Sequence, residues 1–507
     1  ALPARMTSTR RSFPPALAVL LLAAASAFFL LGSRPLWEPD EGRFTNVALQ
    51  MLESGEFISL YRHPESLHFT KPPVTYWAIA ASVATLGWNE WAVRLPGALA
   101  HLGIVALLLR IGRHFAPRRP WLPALVYASL PVPLLGAGVV TTDTPLTFAT
   151  TLAFACYSIA RFEGRPGFVL GMWAAFGLAF LTKGPPALVL LAGLALVHHR
   201  DGDGLRFWHP AGLLLFALVG LAWYAVVVAR HEGLLGYFLG YEVYARIATD
   251  THQRHPQWWG GFYVYGLTLG LGTLPWWPWA LAAWRRAGLG WRQAAPETRQ
   301  LLLPLALGLA VFLLARSRLP LYLLPLFPLL ALLLGRALQE ARFGPPRVLA
   351  VAAVLGLALG LRLATTHLEV IAGWLPEKQA ARVPLHKNTA DWARALEALA
   401  PFRIEEVVFV NDMARLGLHL YLRAPVEKVD FDGDLASKPI SDAPFDDVLG
   451  NELRETPEPA GRIFVMREAS VPRFEAEARA AGWAPQRLGM VRDRVVYALA
   501  RAGDSGG

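Results

Sequence analysis

The sequence predicts an all-α polytopic membrane domain over residues 6–362, followed by a C-terminal extracytoplasmic α/β domain over residues 363–507. Of the 507 residues, 54% are hydrophobic and 17% are charged, which is too apolar for a soluble chain of this length. After Arg362 the composition becomes that of a soluble domain of ordinary size. The five residues before Met6 are expected to be a cloning remnant outside the fold.

Eleven apolar segments come close to the ~20 residues that a helix needs to cross the hydrocarbon core. Splitting the runs that contain proline would add two or three helices, so we expect about 11–13 transmembrane helices together with juxtamembrane helices. The predicted spans are 15–32, 93–110, 121–142, 144–160, 166–182, 184–198, 207–229, 261–284, 300–315, 319–335 and 347–362.

Arginine clusters occupy every second loop between these spans, as the positive-inside rule requires of cytoplasmic loops. This alternation places "LWEPDEGRF" (36–44), Asp143 and the C-terminal tail together on the opposite side of the membrane. The apolar stretch 74–88 is then expected to lie along the interface, because a crossing there would separate Asp40 from Asp143.

The net charge of +10 is carried largely by these arginines beside apolar spans, which favours an anionic membrane surface over nucleic acid as the partner. The only cysteine, Cys156, lies in an apolar run and excludes an intramolecular disulfide. We expect a monomer surrounded by membrane lipids.

The C-terminal region alternates strand patterns with amphipathic helix patterns, which is typical of a small α/β domain. "EEVVFV", "EKVDF", "GRIFVM" and "RVVYALA" are predicted strands, and "NTADWARALEALA" and "PRFEAEARAAG" are predicted helices. The region contains no phosphate-cradling glycine motif and no metal-ligand cluster in sequence, so a capping or docking module is the simplest interpretation.

Ionisable residues collect at the predicted non-cytoplasmic ends of the spans, where charged groups usually serve a site. A mixture of acids, bases and imidazoles suits a phosphorylated substrate that carries polar groups. The set is Asp40, Glu41, Arg43, Lys71, Asp143, Lys183, Glu242, Arg246, His252, Arg254, His255, Arg316 and Arg318.

Several of these residues also have a purely structural interpretation. Asp40 and Asp143 are placed to cap helices, and Arg43 is one turn from Asp40, in position for an i,i+3 ion pair. Lys71 can snorkel to the interface or hold a phosphate as a point charge. Lys183 in "LTKGPP" is more easily explained as a loop base.

Glu242, His252 and His255 offer the oxygen and nitrogen ligands of a divalent metal site. The two histidines are three residues apart and precede Pro256, without a recognised catalytic pattern between them. The sequence therefore allows a metal cofactor here but does not identify the ion.

Seven motifs occur in an order and spacing that resemble the GT-C membrane glycosyltransferases, in their protein O-mannosyltransferase-like branch. They cover residues 36 to about 335 and are most similar to the aminoarabinose transferases of bacterial lipid A. The motifs are "WEPDEGRF", "MLESGEF", "KPPVTYW", "TTDTPL", "LTKGPPAL", "RHPQWWGGFYVYGLTLGLGTLPWWPW" and "SRLPLYLLPLFPLLAL".

The resemblance implies an inverting transfer from an undecaprenyl-phosphate sugar to lipid A phosphate, at the periplasmic face of the bacterial inner membrane. It makes Asp40 the essential carboxylate and Asp143, which matches the family's third-span aspartate, a second catalytic residue. The donor phosphate would be held by Arg43, Lys71 and Arg254, with Tyr322 from the "LPxYxLP" motif. Glu41, Arg246 and Arg318 complete the predicted substrate-binding set.

Two other functions remain open. One keeps the fold and donor class but transfers mannose or another hexose to protein serine or threonine. The other is a lipid or solute transporter without chemistry, although such proteins commonly have paired halves and this sequence contains no such internal repeat.

Overall fold

The computed structural model describes residues 14–245, 257, 259–287, 295–315, 317–376, 379, 383, 387–432, 445–455 and 461–501. Within these ranges the chain forms a helical region up to Trp374 and a sheet-containing region after it. The first eleven helices are α1 (Pro15–Phe28), α2 (Asp40–Ser54), α3 (Val74–Leu86), α4 (Glu90–Phe115), α5 (Leu122–Ser129), α6 (Pro131–Ala137), α7 (Asp143–Phe162), α8 (Phe168–Lys183), α9 (Ala187–Asp201), α10 (Pro210–Gly220) and α11 (Ala222–Arg230).

Besides α-helices, the helical region contains a π-helix at Tyr237–Ala245 and a 3₁₀ turn at Pro320–Leu326. Its remaining helices are α12 (Leu234–Gly236), α13 (Gly260–Gly272), α14 (Trp276–Ala287), α15 (Pro296–Leu314), α16 (Phe327–Leu338), α17 (Pro345–Thr366) and α18 (Leu368–Trp374).

All eleven predicted spans are helical, but proline and glycine break several of them. The segment 121–142 divides at Pro131, which has no N–H for a continuing helix and starts α6 instead. The segment 207–229 divides into α10 and α11, which are bent by 44°.

The predicted count of 11–13 transmembrane helices is not confirmed by helix length and composition. Among the described residues, four helices are long and apolar enough to cross a membrane, or five if the bent pair α10–α11 is one span. The four are Glu90–Phe115, Pro296–Leu314, Pro320–Leu338 and Pro345–Thr366. The difference has two causes: several predicted spans are shorter or broken as helices, and α7, although 20 residues long, is too rich in threonine and other polar residues to count as an apolar span.

The chain after Trp374 forms a six-stranded mixed sheet with helices on both faces. A separate hairpin, β1 (Tyr61–His63) and β2 (Ser66–Leu67), belongs to the loop between α2 and α3. The sheet contains β3 (Glu406–Val410), β4 (Val426–Asp430), β5 (Asp447–Val448), β6 (Arg462–Arg467), β7 (Trp483–Val491) and β8 (Arg494–Arg501), in the order β5-β4-β3-β6-β8-β7. Its helices are α19 (Thr389–Leu399), α20 (Leu418–Leu422), α21 (Leu449–Glu455) and α22 (Val471–Ala480).

Strands β3, β4, β5 and β6 are parallel, whereas β8 pairs antiparallel with β6 and β7. Side chains of alternate β3 residues pack into two hydrophobic cores, one on each face of the sheet. Val407 and Phe409 belong to one core, and Val408 and Val410 belong to the other. The predicted α/β domain is confirmed in its secondary structure. Strand β7 was not predicted, because Pro485, Arg487 and Gly489 interrupt its strand pattern.

The loops that carry the arginine clusters lie at one end of the helical region. Ion pairs join them across different helices, as expected if they share one side of a membrane. The pairs include Arg110 with Glu163, Arg161 with Asp201, Arg299 with Asp201, and Arg336 with Glu297.

Candidate active site

Asp40 is the first residue of α2 and remains accessible. A carboxylate in the first turn of a helix is favoured by the helix dipole. The Arg43 guanidinium donates to Asp40 Oδ1 at 2.8 Å, and the Asp40 side chain is 50% exposed. The i,i+3 pair is therefore present, and one side of the carboxylate stays open to solvent or substrate.

The neighbouring carboxylate, Glu41, points into the protein and is fully enclosed. Arg34 contacts it at 2.8 Å, and Arg94 donates to both of its oxygens at 3.0 and 3.1 Å. The backbone N–H groups of Trp37 and Val140 also donate to it, at 3.0 and 3.1 Å. Burial alone would raise the pKa of Glu41, but the two guanidinium groups outweigh burial and lower it.

The contact of Glu41 with Val140 brings the first extramembrane loop to the loop that precedes Asp143. Asp143 begins α7 and forms an ion pair with Lys183 at the end of α8. Thr141 donates to the other Asp143 oxygen at 2.9 Å. The sequence interpretation of Lys183 as a loop base missed this pairing, since 40 residues separate the two.

Tyr322 lies beside this ion pair. The Lys183 ammonium is 4.6 Å from the centre of the Tyr322 ring, within cation–π distance. Arg318 is 4% exposed and donates to the carbonyl groups of Gln257 and Leu313. The 3₁₀ turn therefore places the Tyr322 ring against the Lys183 ammonium that pairs with Asp143. Arg318 instead serves the backbone near this turn.

Lys71 and Glu242 come from distant segments and meet at 3.7 Å, each with a side chain 15% exposed. Tyr237 donates to Glu242 at 3.1 Å, and Lys71 donates to the Thr70 carbonyl at 2.6 Å. Glu242 is therefore neutralised by an ammonium group, which competes with the metal-ligand role predicted for it. His252 and His255, like Arg246, Arg254 and Arg316, lie outside the described residues.

A cluster of positive charge surrounds His68, which accepts or donates a 2.8 Å hydrogen bond with Thr70. Burial lowers the pKa of His68 well below its ordinary value, and the nearby Arg43, Arg62, Lys71 and Lys428 lower it further. Burial together with Arg62 and Arg43 also lowers the pKa of Lys428 to about 8.

Sequence reasoning did not find Arg62 or Lys428 in this cluster. Lys428 belongs to β4, more than 350 positions after Lys71 along the chain, and only the fold brings them together. Arg62 and Asp446 form a buried ion pair between the β1–β2 hairpin and the sheet. The sheet-containing region therefore contributes charge to the candidate site as well as packing against it.

Glu38 ties the loop before Asp40 to the sheet-containing region. Its Oε1 accepts a hydrogen bond from the Gly417 N–H at 2.7 Å. The side chain fits there because Gly42 and Gly417, which line the space, have no Cβ. A Cβ at Gly42 would overlap Glu38 Oε1, and one at Gly417 would lie 2.8 Å from it. Burial raises the pKa of Glu38 to about 7.

We expect Glu38→Gln to reduce the pH dependence of stability between pH 4.5 and 7. In this window folded Glu38 holds a proton that the unfolded chain has released, so the unfolding free energy falls as pH rises, by about 3 kcal/mol in total. Thermal unfolding of both proteins from about pH 4.5 to about pH 8 measures the difference. Parallel pH curves for wild type and Glu38→Gln would contradict this prediction.

Comparison with known proteins supports the resemblance carried by the motifs. A family model described as dolichyl-phosphate-mannose-protein mannosyltransferase matches residues 70–229. Undecaprenyl phosphate-alpha-4-amino-4-deoxy-L-arabinose arabinosyl transferase 1 of Pseudomonas fluorescens is 34% identical over 364 residues, which are 68% of this chain and 63% of the relative. The transferase of that name in Pseudomonas aeruginosa is 34% identical over 358 residues, 68% of this chain and 63% of the relative.

The chain spans less than two thirds of the length of these curated relatives. The crystal structure of ArnT from Cupriavidus metallidurans bound to undecaprenyl phosphate covers 97% of this chain, with 99% of its own length matched, a TM-score of 0.72 and 22% identity. The apo state of the same protein gives a TM-score of 0.70 at 19% identity. The fold and the motifs agree: the chain belongs to the undecaprenyl phosphate-aminoarabinose arabinosyl transferase family of GT-C membrane glycosyltransferases and has the fold of ArnT.

Proposed function

We propose that the chain is an inverting glycosyltransferase that moves 4-amino-4-deoxy-L-arabinose from undecaprenyl phosphate to lipid A phosphate groups. The observation that carries the proposal is the accessible carboxylate of Asp40, which pairs with Arg43, at the edge of the cluster of Arg43, Lys71 and Lys428 around His68. The named functions of the relatives and their motifs supply the sugar and the lipid carrier.

The reaction forms a bond between an acceptor phosphate oxygen and the anomeric carbon, and breaks the bond from that carbon to undecaprenyl phosphate. The electron pair of the broken bond stays on the departing phosphate. Fixed positive groups in a site with little water stabilise such a charge strongly. Arg43, Lys71 and Lys428 would hold the departing phosphate, while Asp40 orients the sugar or the acceptor.

The acceptor decides how much acid–base chemistry Asp40 performs. A lipid A phosphate is already ionised near neutral pH, so its oxygen attacks without losing a proton to a base. A protein hydroxyl would need that base. Asp143 is better suited to positioning than to proton transfer, because Lys183 and Thr141 already occupy its two oxygens.

The site would lie at the periplasmic face of the inner membrane, with α3 along the interface. The Tyr421 hydroxyl donates to Glu90 at 3.0 Å and accepts from the Leu36 N–H at 2.9 Å. Leu36 precedes α3 and Glu90 follows it, so one phenol touches the chain on both sides of this helix. With 13 residues, α3 is about 20 Å long, shorter than the ~30 Å hydrocarbon core.

Cysteine labelling in intact cells tests this placement. In a background with Cys156 replaced, we expect a membrane-impermeant reagent added from the periplasmic side to label cysteines at the exposed positions Ser54 and Met413. A cysteine at the exposed Arg165, at the opposite end of the helices, should react only after the inner membrane is opened. The reverse pattern would contradict the proposed orientation.

Transfer itself is tested with purified, reconstituted protein and donor labelled in its sugar. The expected result is label on lipid A phosphate, with none on a serine- and threonine-containing peptide. Label on the peptide would instead favour the mannosyltransferase-like activity that the match over residues 70–229 suggests. Movement of intact donor across the vesicle without a new product would indicate a transporter.

We expect Lys428→Met to lower kcat/KM for the donor about tenfold and to leave folding intact, because one charge-assisted contact to phosphate is lost. In the wild type, kcat/KM should also fall as pH rises through about 8, where Lys428 loses its proton. The variant should lack this step. If the pH profile of Lys428→Met is the same as that of the wild type, Lys428 does not bind the donor.

A further inference from the structure

A second group of potential ligands lies where the β1–β2 hairpin meets strand β4, and the proposed transfer reaction does not use it. One ring nitrogen of His63 and one carboxylate oxygen each of Glu65 and Glu427 lie within 4.8 Å of one another. Two atoms that bind one zinc ion at ~2.1 Å lie up to ~4.2 Å apart. Small side-chain rotations therefore bring all three atoms onto one ion.

Two of these side chains are buried and have polar atoms without a hydrogen-bond donor or acceptor among the described residues. Glu427 is 1% exposed, and its carboxylate oxygens accept no hydrogen bond from a donor among the described residues; its hydrogen-bonding neighbour is another carboxyl group, that of Glu452. His63 is 5% exposed, and its Nδ1 also has no partner there. Buried polar atoms without partners are rare in folded proteins and indicate a missing ligand or proton. Glu65 is exposed and gives the group an opening to solvent.

The other nitrogen of His63 is already held in the way that metal-binding histidines are held. His63 Nε2 lies 3.0 Å from Glu406 Oε1, and Arg462 holds the second oxygen of Glu406 at 2.5 Å. A carboxylate on the far nitrogen fixes the ring orientation and makes the near nitrogen a better ligand. With Nε2 held by Glu406, Nδ1, which has no partner among the described residues, is the nitrogen available to an ion.

The charges around the group also favour a cation. Within the part of the chain that the structure describes, Arg462 contacts the buried carboxylates of Glu406 and Glu452, and the buried Glu427 interacts electrostatically with both of these carboxylates. Three carboxylates against one guanidinium leave an excess of negative charge, to which the carboxylate of Glu65 adds.

We propose that His63, Glu65 and Glu427 bind a divalent transition-metal ion that joins the first extramembrane loop to the C-terminal sheet. One imidazole nitrogen with two carboxylate oxygens suits Zn²⁺ better than Mg²⁺ or Ca²⁺, which prefer oxygen ligands alone. The ion would fix the hairpin that leads to Lys71. It is distinct from the metal predicted at Glu242, His252 and His255, and it does not depend on the proposed function.

Metal binding by the full-length protein in detergent tests the proposal. After chelator treatment, Zn²⁺ buffered from nanomolar to micromolar free concentration should restore one bound equivalent and raise the thermal unfolding temperature. Glu65→Gln, at an exposed position, should fold normally and weaken this binding at least about tenfold. Glu406→Gln, which acts through His63, should weaken it by ~10–100-fold.

Two further variants separate this site from its alternatives. His252→Ala with His255→Ala should keep the bound equivalent and the temperature increase, whereas Glu427→Gln should lose both. If Zn²⁺ neither binds below micromolar concentration nor raises the unfolding temperature of the wild type, the proposal is overturned. It is equally overturned if Glu65→Gln binds Zn²⁺ as tightly as wild type.

Discussion

Asp40→Asn is expected to fold like the wild type and to lower kcat for sugar transfer at least ~100-fold. A loss of this size is typical when one group that stabilises the charge of a transition state is removed. The substitution keeps the size of the side chain and removes its charge. Folding should be spared because the carboxylate is 50% exposed and pairs with Arg43 at the same surface. Exposed ion pairs of this kind contribute about 0–1 kcal/mol.

Initial rates with saturating lipid A and donor, together with thermal unfolding, measure the two effects separately. Asp493→Asn is a matched control, because that side chain is 79% exposed and lies in the C-terminal sheet region. Its rate and unfolding temperature should both equal those of the wild type. If well-folded Asp40→Asn transfers sugar at the wild-type rate, Asp40 takes no part in the reaction and the proposed assignment is wrong.

The helical character of the apolar segments was predictable because a membrane span needs a long apolar run, although only four or five of the described helices are long and apolar enough to cross a membrane. Their internal breaks were less predictable. Pro131 ends one helix and starts the next, whereas Pro96 and Pro304 lie inside continuous helices. A proline near the middle of an apolar run is thus compatible with either outcome, and packing against neighbouring helices decides it.

The site was predictable only where its residues lie beside apolar runs. Asp40, Lys71 and Asp143 stand out because charge at membrane depth is rare. Lys428 and Glu427 do not, since charged residues are ordinary in a soluble α/β domain. Their significance comes from the approach of β4 to the β1–β2 hairpin, across more than 350 residues of sequence. No spacing rule could have joined them.

Glu41 shows the reverse difficulty, because the sequence places it beside Asp40 and predicts a shared role in substrate binding. In the structure its oxygens are occupied by Arg34, Arg94 and two backbone N–H groups. Arg94 in turn donates to the carbonyl groups of Leu31, Arg34 and Pro35. The arrangement closes the loop between α1 and α2 and fixes it to α4.

Glu41→Gln is therefore expected to destabilise the protein by about 3–5 kcal/mol, the range for breaking a buried ion pair from one side. The side chains of Glu41 and Arg94 are 3% and 1% exposed, so the guanidinium groups left behind cannot regain water. The thermal unfolding temperature in detergent should fall by several degrees. Glu340→Gln, whose ion pair with Arg118 is 67% exposed, is the matched control and should change it little. If the unfolding temperature of Glu41→Gln is unchanged while transfer is largely lost, Glu41 contacts the substrate as the sequence predicted, because a purely structural role could not explain that loss.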